Sequence, residues 1–163
     1  IVNDKIGFIP NVFGAFAKFP KQFDGFTKLY NSLMMGESGL TKLEREMIAV
    51  TVSSENHCFY CLVAHGSAVR ELSNDPQLGE RIAANFRSAE LPKKQLELLN
   101  FTKKLTRDPS EISESDRAKL RAVGYTDRDI WDISAIIGLF NMTNRLASAT
   151  EMEPNDNYHN IAR

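Results

Sequence analysis

Apolar residues recur at helical spacing in a series of segments that cover most of the chain. Between these segments stand residues that break or end helices, such as Gly36, Pro76 and Gly124. No stretch alternates apolar and polar positions as a half-buried strand does. The pattern therefore predicts an all-α fold of about seven or eight helices. The segments are residues 11–19, 20–35, 41–54, 58–72, 76–86, 93–106, 113–124 and 126–150.

Hydroxyl residues that are followed three positions later by an acid mark the starts of three of these helices. Thr41 and Glu44 form the pattern of a capping box, in which the hydroxyl and the carboxylate each accept one free backbone N–H. We expect helices to begin beside these residues. The other two pairs are Ser113 with Asp116 and Thr126 with Asp129.

Two helical segments, residues 47–52 and residues 133–140, are apolar on nearly every face. Such a helix is buried in the centre of a fold or in a subunit interface, so we expect a homo-oligomer. We predict a single helical domain over residues 1–150. Residues 151–163 are polar and are predicted to be a C-terminal tail or an arm on a neighbouring subunit.

The charge balance excludes several classes of partner. The 163 residues include 20 basic and 21 acidic ones, which gives a net charge of −1. With no basic stripe along the chain, we expect no nucleic-acid partner and no anionic membrane. No apolar run reaches the roughly 18 residues that span a bilayer, and no basic segment leads into an apolar signal core. We therefore expect a soluble cytoplasmic protein.

The only two cysteines, Cys58 and Cys61, stand three residues apart, and His65 follows four residues later. On a helix over residues 58–72 the three side chains share one face. Cα atoms three residues apart on a helix are roughly 5 to 6 Å from each other, a separation that a disulfide tolerates. The pair can therefore close and reopen with little backbone movement, beside a side chain that carries protons.

The predicted position of this pair at a helix N-terminus indicates reactive thiols. Asn56 or His57 would cap the helix, with Cys58 in its first turn. The free N–H groups there lower the pKa of a thiol, and the position argues against deep burial. Cys58, as the more exposed thiol and the nearer to the helix dipole, is favoured as the nucleophile, whereas proximity to His65 favours Cys61. The residues alone leave the order of the two cysteines open.

Glu46 is the candidate base. It opens the apolar run of residues 47–52, where an unpaired charge is costly. The alternative is a structural role, in which Glu46 pairs with the helix dipole or with Arg45, although Glu44 already fills that role. The cysteine motif on the next helix favours a catalytic role for Glu46.

Two other interpretations of the motif compete with redox chemistry. Cys58, Cys61 and His65, with Glu46 or His57, would supply a tetrahedral zinc set, but consecutive turns of one helix place such ligands poorly. Both cysteines and the histidine could instead be buried packing residues. A thioredoxin-like site is excluded because no βαβ pattern flanks the cysteines. We predict neither a metal nor an organic cofactor.

A polar cluster follows the apolar run of the last long helix. Asn141, Asn144 and Arg145 stand at positions i, i+3 and i+4. Such residues can bind a ligand or a partner, but we expect helix capping and surface contacts instead.

Several of these motifs together resemble one known family. The chain is similar to the AhpD-like alkylhydroperoxidase branch of the carboxymuconolactone decarboxylase family, and to its peroxidase-related members in particular. The resemblance covers roughly residues 8–150. It lies in Leu43-x-x-Glu46, in Cys58-x-x-Cys61-x-x-x-His65, and in the stretches Ile9–Phe13 and Leu139–Arg145.

The resemblance implies an all-α fold, a trimer or hexamer, and an antioxidant enzyme that reduces hydroperoxides at the expense of a dithiol such as a lipoylated protein. The decarboxylases of the family lack the cysteine pair, so its presence favours the peroxidase branch. The resemblance further implies that Glu46 acts as base through His65. Cys61 would attack the peroxide, and Cys58 would then close a redox-active disulfide. One departure is Tyr60, where AhpD carries a histidine.

Two other functions share the same motif. A protein thiol-disulfide oxidoreductase would exchange disulfides with a dithiol substrate without consuming peroxide. A redox sensor would form the disulfide stoichiometrically and would not turn over.

Overall fold

The structure, a computed structural model, describes residues 7–163, and within that range it contains nine α-helices and no strand. The predicted all-α fold is confirmed. The first six residues of the predicted domain lie outside the described residues. The ninth helix is a single turn in the segment beyond residue 150. The helices are α1 Asn11–Phe16, α2 Pro20–Tyr30, α3 Lys42–Glu55, α4 Phe59–Ser73, α5 Leu78–Asn85, α6 Lys93–Arg107, α7 Glu114–Ala122, α8 Asp127–Ala149 and α9 Asn157–Asn160.

The predicted caps set the starts of α3, α7 and α8. At α3 the backbone N–H of Glu44 donates to Thr41 Oγ1 at 3.1 Å, and the backbone N–H of Thr41 donates to Glu44 Oε2 at 2.8 Å. The same reciprocal pairing stands at the starts of α7 and α8. Gly124, with φ of 96°, follows α7 in the left-handed region that favours glycine. Local sequence therefore determines these boundaries.

Helix α3 is the centre of the fold and packs against α4, α5, α6 and α8. Its apolar run is fully buried, and in the run of α8 the large apolar side chains are buried while Gly138 is exposed. The large side chains of both segments are thus buried within a single chain. Each large side chain removed from water here contributes about 1.5–3 kcal/mol to the free energy of unfolding. The largest of them are Met47, Ile48, Val50 and Val52 on α3 and Ile133, Ile136, Ile137 and Phe140 on α8.

A buried arginine joins α3 to the end of α2. Helix α2 continues as a π-helical turn over Asn31–Met35, a geometry that leaves carbonyl groups without helical partners. The Arg45 guanidinium donates to the carbonyl oxygens of Leu33 at 3.0 Å and Gly36 at 2.9 Å. Arg45 is therefore occupied by backbone oxygens.

The two ends of the described chain lie side by side against α4. Arg70 of α4 is buried and donates to the carbonyl oxygens of Tyr158 at 2.9 Å and Ile161 at 3.0 Å. The backbone N–H of Asn11 donates to Asn155 Oδ1 at 2.8 Å. The segment predicted to be a tail or a subunit arm thus packs on its own chain. None of the described helices is long and apolar enough to cross a membrane.

Candidate active site

The cysteine pair lies at the tight turn between α3 and α4. Asn56 ends α3, His57 adopts a left-handed conformation with φ of 53°, and Cys58 is the N-cap of α4. The predicted cap, Asn56 or His57, is therefore wrong. The reason is the turn itself: the backbone N–H of Cys58 donates to the Ser53 carbonyl at 2.9 Å, which places Cys58 just outside the helix. The Cys58 side chain makes no cap hydrogen bond of standard geometry.

Both cysteines are buried. Cys58 is 1% exposed and Cys61 is 3% exposed, and both are free thiols. They form a small buried cluster with Tyr60 and with Ala147 of α8, and Val12 of α1 and Met152 pack against this cluster. The expectation that the helix N-terminus would leave the pair accessible is wrong, because these residues from distant parts of the chain cover it.

The two thiols differ in pKa. The pKa of Cys58 is lowered to about 6, first by its hydrogen-bonding interaction with the neighbouring Cys61 thiol, and against the opposing effect of burial. The nearby backbone N–H of Cys61, the Ser148 hydroxyl and the charge of His65 lower it further. The pKa of Cys61 is raised because its proton is held by Cys58 and because the thiol is buried, and the Asn144 amide opposes this only in part. The pKa of Cys58 is thus shifted toward the thiolate and that of Cys61 toward the thiol.

Glu46 and His65 form an acid–base pair between α3 and α4. His65 Nδ1 lies 2.7 Å from Glu46 Oε2, and both side chains are largely buried. The ring of His65 meets the Phe140 ring edge-on, with their centroids 4.5 Å apart. The alternative pairing of Glu46 with Arg45 does not form, because Arg45 binds carbonyl oxygens. The contact fixes the imidazole, so Nε2 is the nitrogen left to exchange a proton.

The structure thus brings together the four residues singled out in the sequence. Cys58 and Cys61 lie in one buried cluster at the start of α4, and His65, further along the same helix, contacts Glu46 of α3. These four residues form the candidate site, with two thiols and an acid–base pair.

Helix α8 places Asn144 beside the turn that carries the cysteines, a position that the sequence did not predict. Asn144 is buried, its Nδ2 donates to Ser53 Oγ at 3.1 Å, and its Oδ1 accepts from Asn56 Nδ2 at 3.0 Å. The expected capping or surface role is therefore wrong for Asn144. It holds for Arg145, which is exposed and donates to the Asn141 carbonyl at 2.8 Å. One feature of the sequence could have indicated this role. Asn144 lies one turn beyond an apolar run, and an amide that is buried there needs hydrogen-bond partners.

Tyr60, which stands where AhpD has a histidine, faces the chain ends. Its hydroxyl accepts the backbone N–H of Val12 at 3.2 Å. Burial raises the pKa of Tyr60 and of Tyr158, so both hydroxyls stay neutral. Tyr60 therefore fastens the residues that cover the thiols.

No metal-binding cluster is found in the described part of the chain. Among residues 7–163 no group of three or more His, Cys, Asp or Glu side chains is placed to hold a metal ion. The zinc set considered above is thus not assembled, and His57, one of its candidate ligands, is exposed. Two surface cavities, of about 500 and 240 Å³, are lined by neither cysteine and by neither member of the Glu46–His65 pair.

The sequence and the fold both have close relatives. The sequence profile of the carboxymuconolactone decarboxylase family matches residues 20–94. An uncharacterized peroxidase-related protein from Silicibacter sp. TM1040 is 57% identical, with a TM-score of 0.97 over 99% of this chain and 84% of that one. A peroxidase-related protein with an alkylhydroperoxidase AhpD core, from Ralstonia eutropha JMP134, is 41% identical, with a TM-score of 0.96 over 99% of this chain and 85% of that one.

A more distant structure shares the fold alone. The debrominase Bmp8 superposes with a TM-score of 0.83 over 97% of this chain and 83% of its own, at 17% identity. No functionally curated protein matches the chain. Two lines of evidence agree: the matching profile, and the high identity and coverage of the two peroxidase-related structures. The protein therefore belongs to the carboxymuconolactone decarboxylase family, in its AhpD-like, peroxidase-related branch.

Proposed function

We propose that the protein is a thiol-dependent hydroperoxide reductase in which Cys58 and Cys61 pass between a dithiol and a disulfide. The observation that carries the proposal is a pair of free, buried thiols at the start of α4, three residues apart, on the same helix as His65, whose Nδ1 lies 2.7 Å from Glu46 Oε2. The lowered pKa of Cys58 agrees with it. A thiolate is the nucleophile that attacks peroxides, and an adjacent thiol supplies the proton that the leaving group needs. The names of the two close relatives, both peroxidase-related, agree with this chemistry.

In the first step the Cys58 thiolate attacks the terminal peroxide oxygen and the O–O bond breaks. Cys58 becomes a sulfenic acid, and the departing alkoxide takes the proton of the Cys61 thiol to leave as an alcohol. The sulfur of Cys58 is oxidised by two electrons and the peroxide is reduced by two. Cys61 is left as a thiolate beside the sulfenic acid.

In the second step the Cys61 thiolate attacks the sulfur of Cys58. The disulfide forms, and the departing hydroxide takes a proton from His65 to leave as water. Glu46 stabilises the protonated imidazole through the 2.7 Å contact with Nδ1, so the pair works as acid here and as base when the site is reset. An external dithiol returns two electrons and two protons by disulfide exchange.

Small substrates fit this site better than protein thiols. A protein disulfide must bring its own backbone up to the attacked sulfur, and here Cys58 is 1% exposed, in a cluster against which Val12 and Met152 pack. A small hydroperoxide needs only a narrow opening. The burial therefore favours peroxide reduction over protein thiol-disulfide exchange, and the reductant is most simply a flexible dithiol such as a lipoyl group.

Single-turnover reactions of two variants test the roles of the thiols. Reduced Cys61→Ser should consume one equivalent of peroxide and stop at a sulfenic acid on Cys58, detected by a sulfenic-acid-specific reagent and mass spectrometry. Reduced Cys58→Ser should consume none. The reverse result would give the attack to Cys61, as the family resemblance implies. An unaltered protein that consumes no peroxide but exchanges disulfides would refute the peroxidase proposal.

The protein is also proposed to form a homo-oligomer, a trimer or a hexamer. In the single chain, α8 exposes Trp131 by 72%, Met142 by 43% and Leu146 by 41%, and large exposed apolar residues on one helix are typical of subunit contacts. Light scattering that gives the mass of a single 18.4 kDa chain at micromolar concentration would refute this proposal.

A further inference from the structure

We propose that Asn144 of α8 is a positioning residue that holds the turn between α3 and α4 in the shape that presents Cys58 to Cys61. The buried amide of Asn144 binds this turn at two residues, Ser53 and Asn56. The consequence for turnover rests on the proposed function, but the equilibrium between the dithiol and the disulfide can be measured without peroxide.

The placement of the two cysteines depends on the N-cap position of Cys58. Cys58 has the extended conformation of an N-cap, with φ of −85° and ψ of 100°, and Cys61 is the third residue of α4. The N-cap residue and the third helical residue are the two that meet in a capping box, so their side chains share the free end of the helix. The proximity of the thiols is therefore set by the backbone of the turn that precedes α4.

That backbone includes a conformation that needs support. His57 is left-handed, with φ of 53°, which is uncommon for residues other than glycine. Such a conformation persists where the surrounding structure fixes it, and it is found often at active sites. The side chain of His57 is exposed, so the support comes from the rest of the turn.

Asn144 supplies this support on both sides of His57. Asn56, the residue before His57, donates through Nδ2 to Asn144 Oδ1 at 3.0 Å. Cys58, the residue after it, donates its backbone N–H to the Ser53 carbonyl at 2.9 Å. Ser53 Oγ in turn accepts from Asn144 Nδ2 at 3.1 Å. The oxygen and the nitrogen of one amide thus bind both residues between which the turn closes.

The two contacts fix the orientation of the Asn144 amide. Ser53 Oγ donates its own proton to the Ala49 carbonyl at 2.7 Å, so toward Asn144 it can only accept. An amide turned by half a rotation would face that acceptor with its oxygen and the Asn56 donor with its nitrogen. Asn144 is 1% exposed, so water does not replace a lost contact. Removal of the amide therefore weakens the support of the turn at both residues.

The equilibrium of the reduced protein with oxidised glutathione tests the inference. The dithiol gives two electrons and two protons to oxidised glutathione, which yields the protein disulfide and two molecules of reduced glutathione. The equilibrium constant reports how closely one thiol is held to the other. In Asn144→Ala it should fall by roughly 10- to 100-fold, because a loosened turn no longer presents Cys58 to Cys61.

Two further variants separate positioning from a general loss of stability. Ile133→Val removes a fully buried methylene group from the same helix, about 16 Å along its axis from Asn144, and should lower the stability in urea but leave the equilibrium constant unchanged. His57→Gly, added to Asn144→Ala, should restore much of the lost equilibrium constant. Glycine adopts the left-handed conformation without help from its surroundings.

A milder variant covers the case in which Asn144→Ala does not fold, as judged by circular dichroism. Asn56 is partly exposed, and its Nδ2 donates to Asn144 and to Asn141, both at 3.0 Å. Asn56→Ala removes both contacts between the turn and α8, so it should lower the equilibrium constant in the same way.

Two failures can be told apart. The inference would be overturned by an equilibrium constant that stays unchanged in Asn144→Ala and Asn56→Ala, or by a fall that Ile133→Val reproduces and His57→Gly does not reverse. If peroxide is still consumed, the proposed function stands. A fall confined to the variants of the turn and of Asn144, in a protein that never consumes peroxide, would support the inference and refute the proposed function.

Discussion

Replacing Cys61 should make Cys58 a weaker acid. The interactions described above lower the pKa of Cys58 from the ordinary value of 9.0 to about 6, and the hydrogen bond from the Cys61 thiol is the largest of them. At pH 7 about nine-tenths of Cys58 is then ionised, against roughly one-hundredth for an ordinary thiol. A hydrogen bond to a charged group contributes about 1.5–3 kcal/mol, or about one to two pKa units. Cys61→Ala should therefore raise the pKa of Cys58 to about 7–8.

The assay is the ultraviolet absorbance of the thiolate as a function of pH, with Cys58→Ser as the baseline. Cys61→Ser is the matched variant, since its hydroxyl can still donate to Cys58 and should keep the midpoint nearer to that of the unaltered protein. If the midpoint of Cys58 ionisation stays near pH 6 in Cys61→Ala, the low pKa of Cys58 is instead due to the backbone N–H groups of α4. A midpoint near 9 in the unaltered protein would refute the division of charge between the two thiols altogether.

Three further predictions concern the base, the covering residues and the linkage between ionisation and stability. Glu46→Gln should slow disulfide formation by roughly 10²- to 10⁴-fold in stopped-flow experiments, while the exposed Glu71→Gln should not. Tyr60→Phe removes the hydroxyl that holds Val12 and should therefore speed alkylation of Cys58. Tyr125→Phe is the control and should not change the rate, because the Tyr125 hydroxyl donates to Glu44, away from the thiols. The pKa of Cys58 is lower in the folded protein than in the unfolded chain, so ionisation of Cys58 should raise the free energy of unfolding as the pH rises from about 6 to about 9, and should contribute nothing below pH 6. Urea unfolding of Cys58→Ser should lack this rise.

Short-range features were predictable from sequence. Thr41 with Glu44 fixed the start of α3, and the spacing of Cys58, Cys61 and His65 placed them on one helix face, because both effects depend on residues within two turns. The apolar runs of α3 and α8 identified the core for the same reason. These patterns gave the fold class and the residues of the candidate site.

Long-range features were not predictable. The cap moved to Cys58 because His57 takes a left-handed conformation, which its sequence does not require. The pair is buried in a cluster against which Val12 and Met152 pack, and these two residues are far apart in the sequence. The role of Asn144 depends on tertiary packing of α8, since the same residue on an exposed helix would be an ordinary surface amide.

The placement of a thiolate at the N-cap of α4 also bears on the reduction potential of the pair. The charge on Cys58 exists only in the dithiol, so every contact that stabilises the charge is lost when the disulfide forms. With a pKa of about 6, the ionised dithiol at pH 7 is favoured by about 1.4 kcal/mol over one with ordinary thiols, which corresponds to about 30 mV in a two-electron couple. The disulfide is to that extent a stronger oxidant, so an external dithiol would reduce it more readily than it would a pair of ordinary thiols.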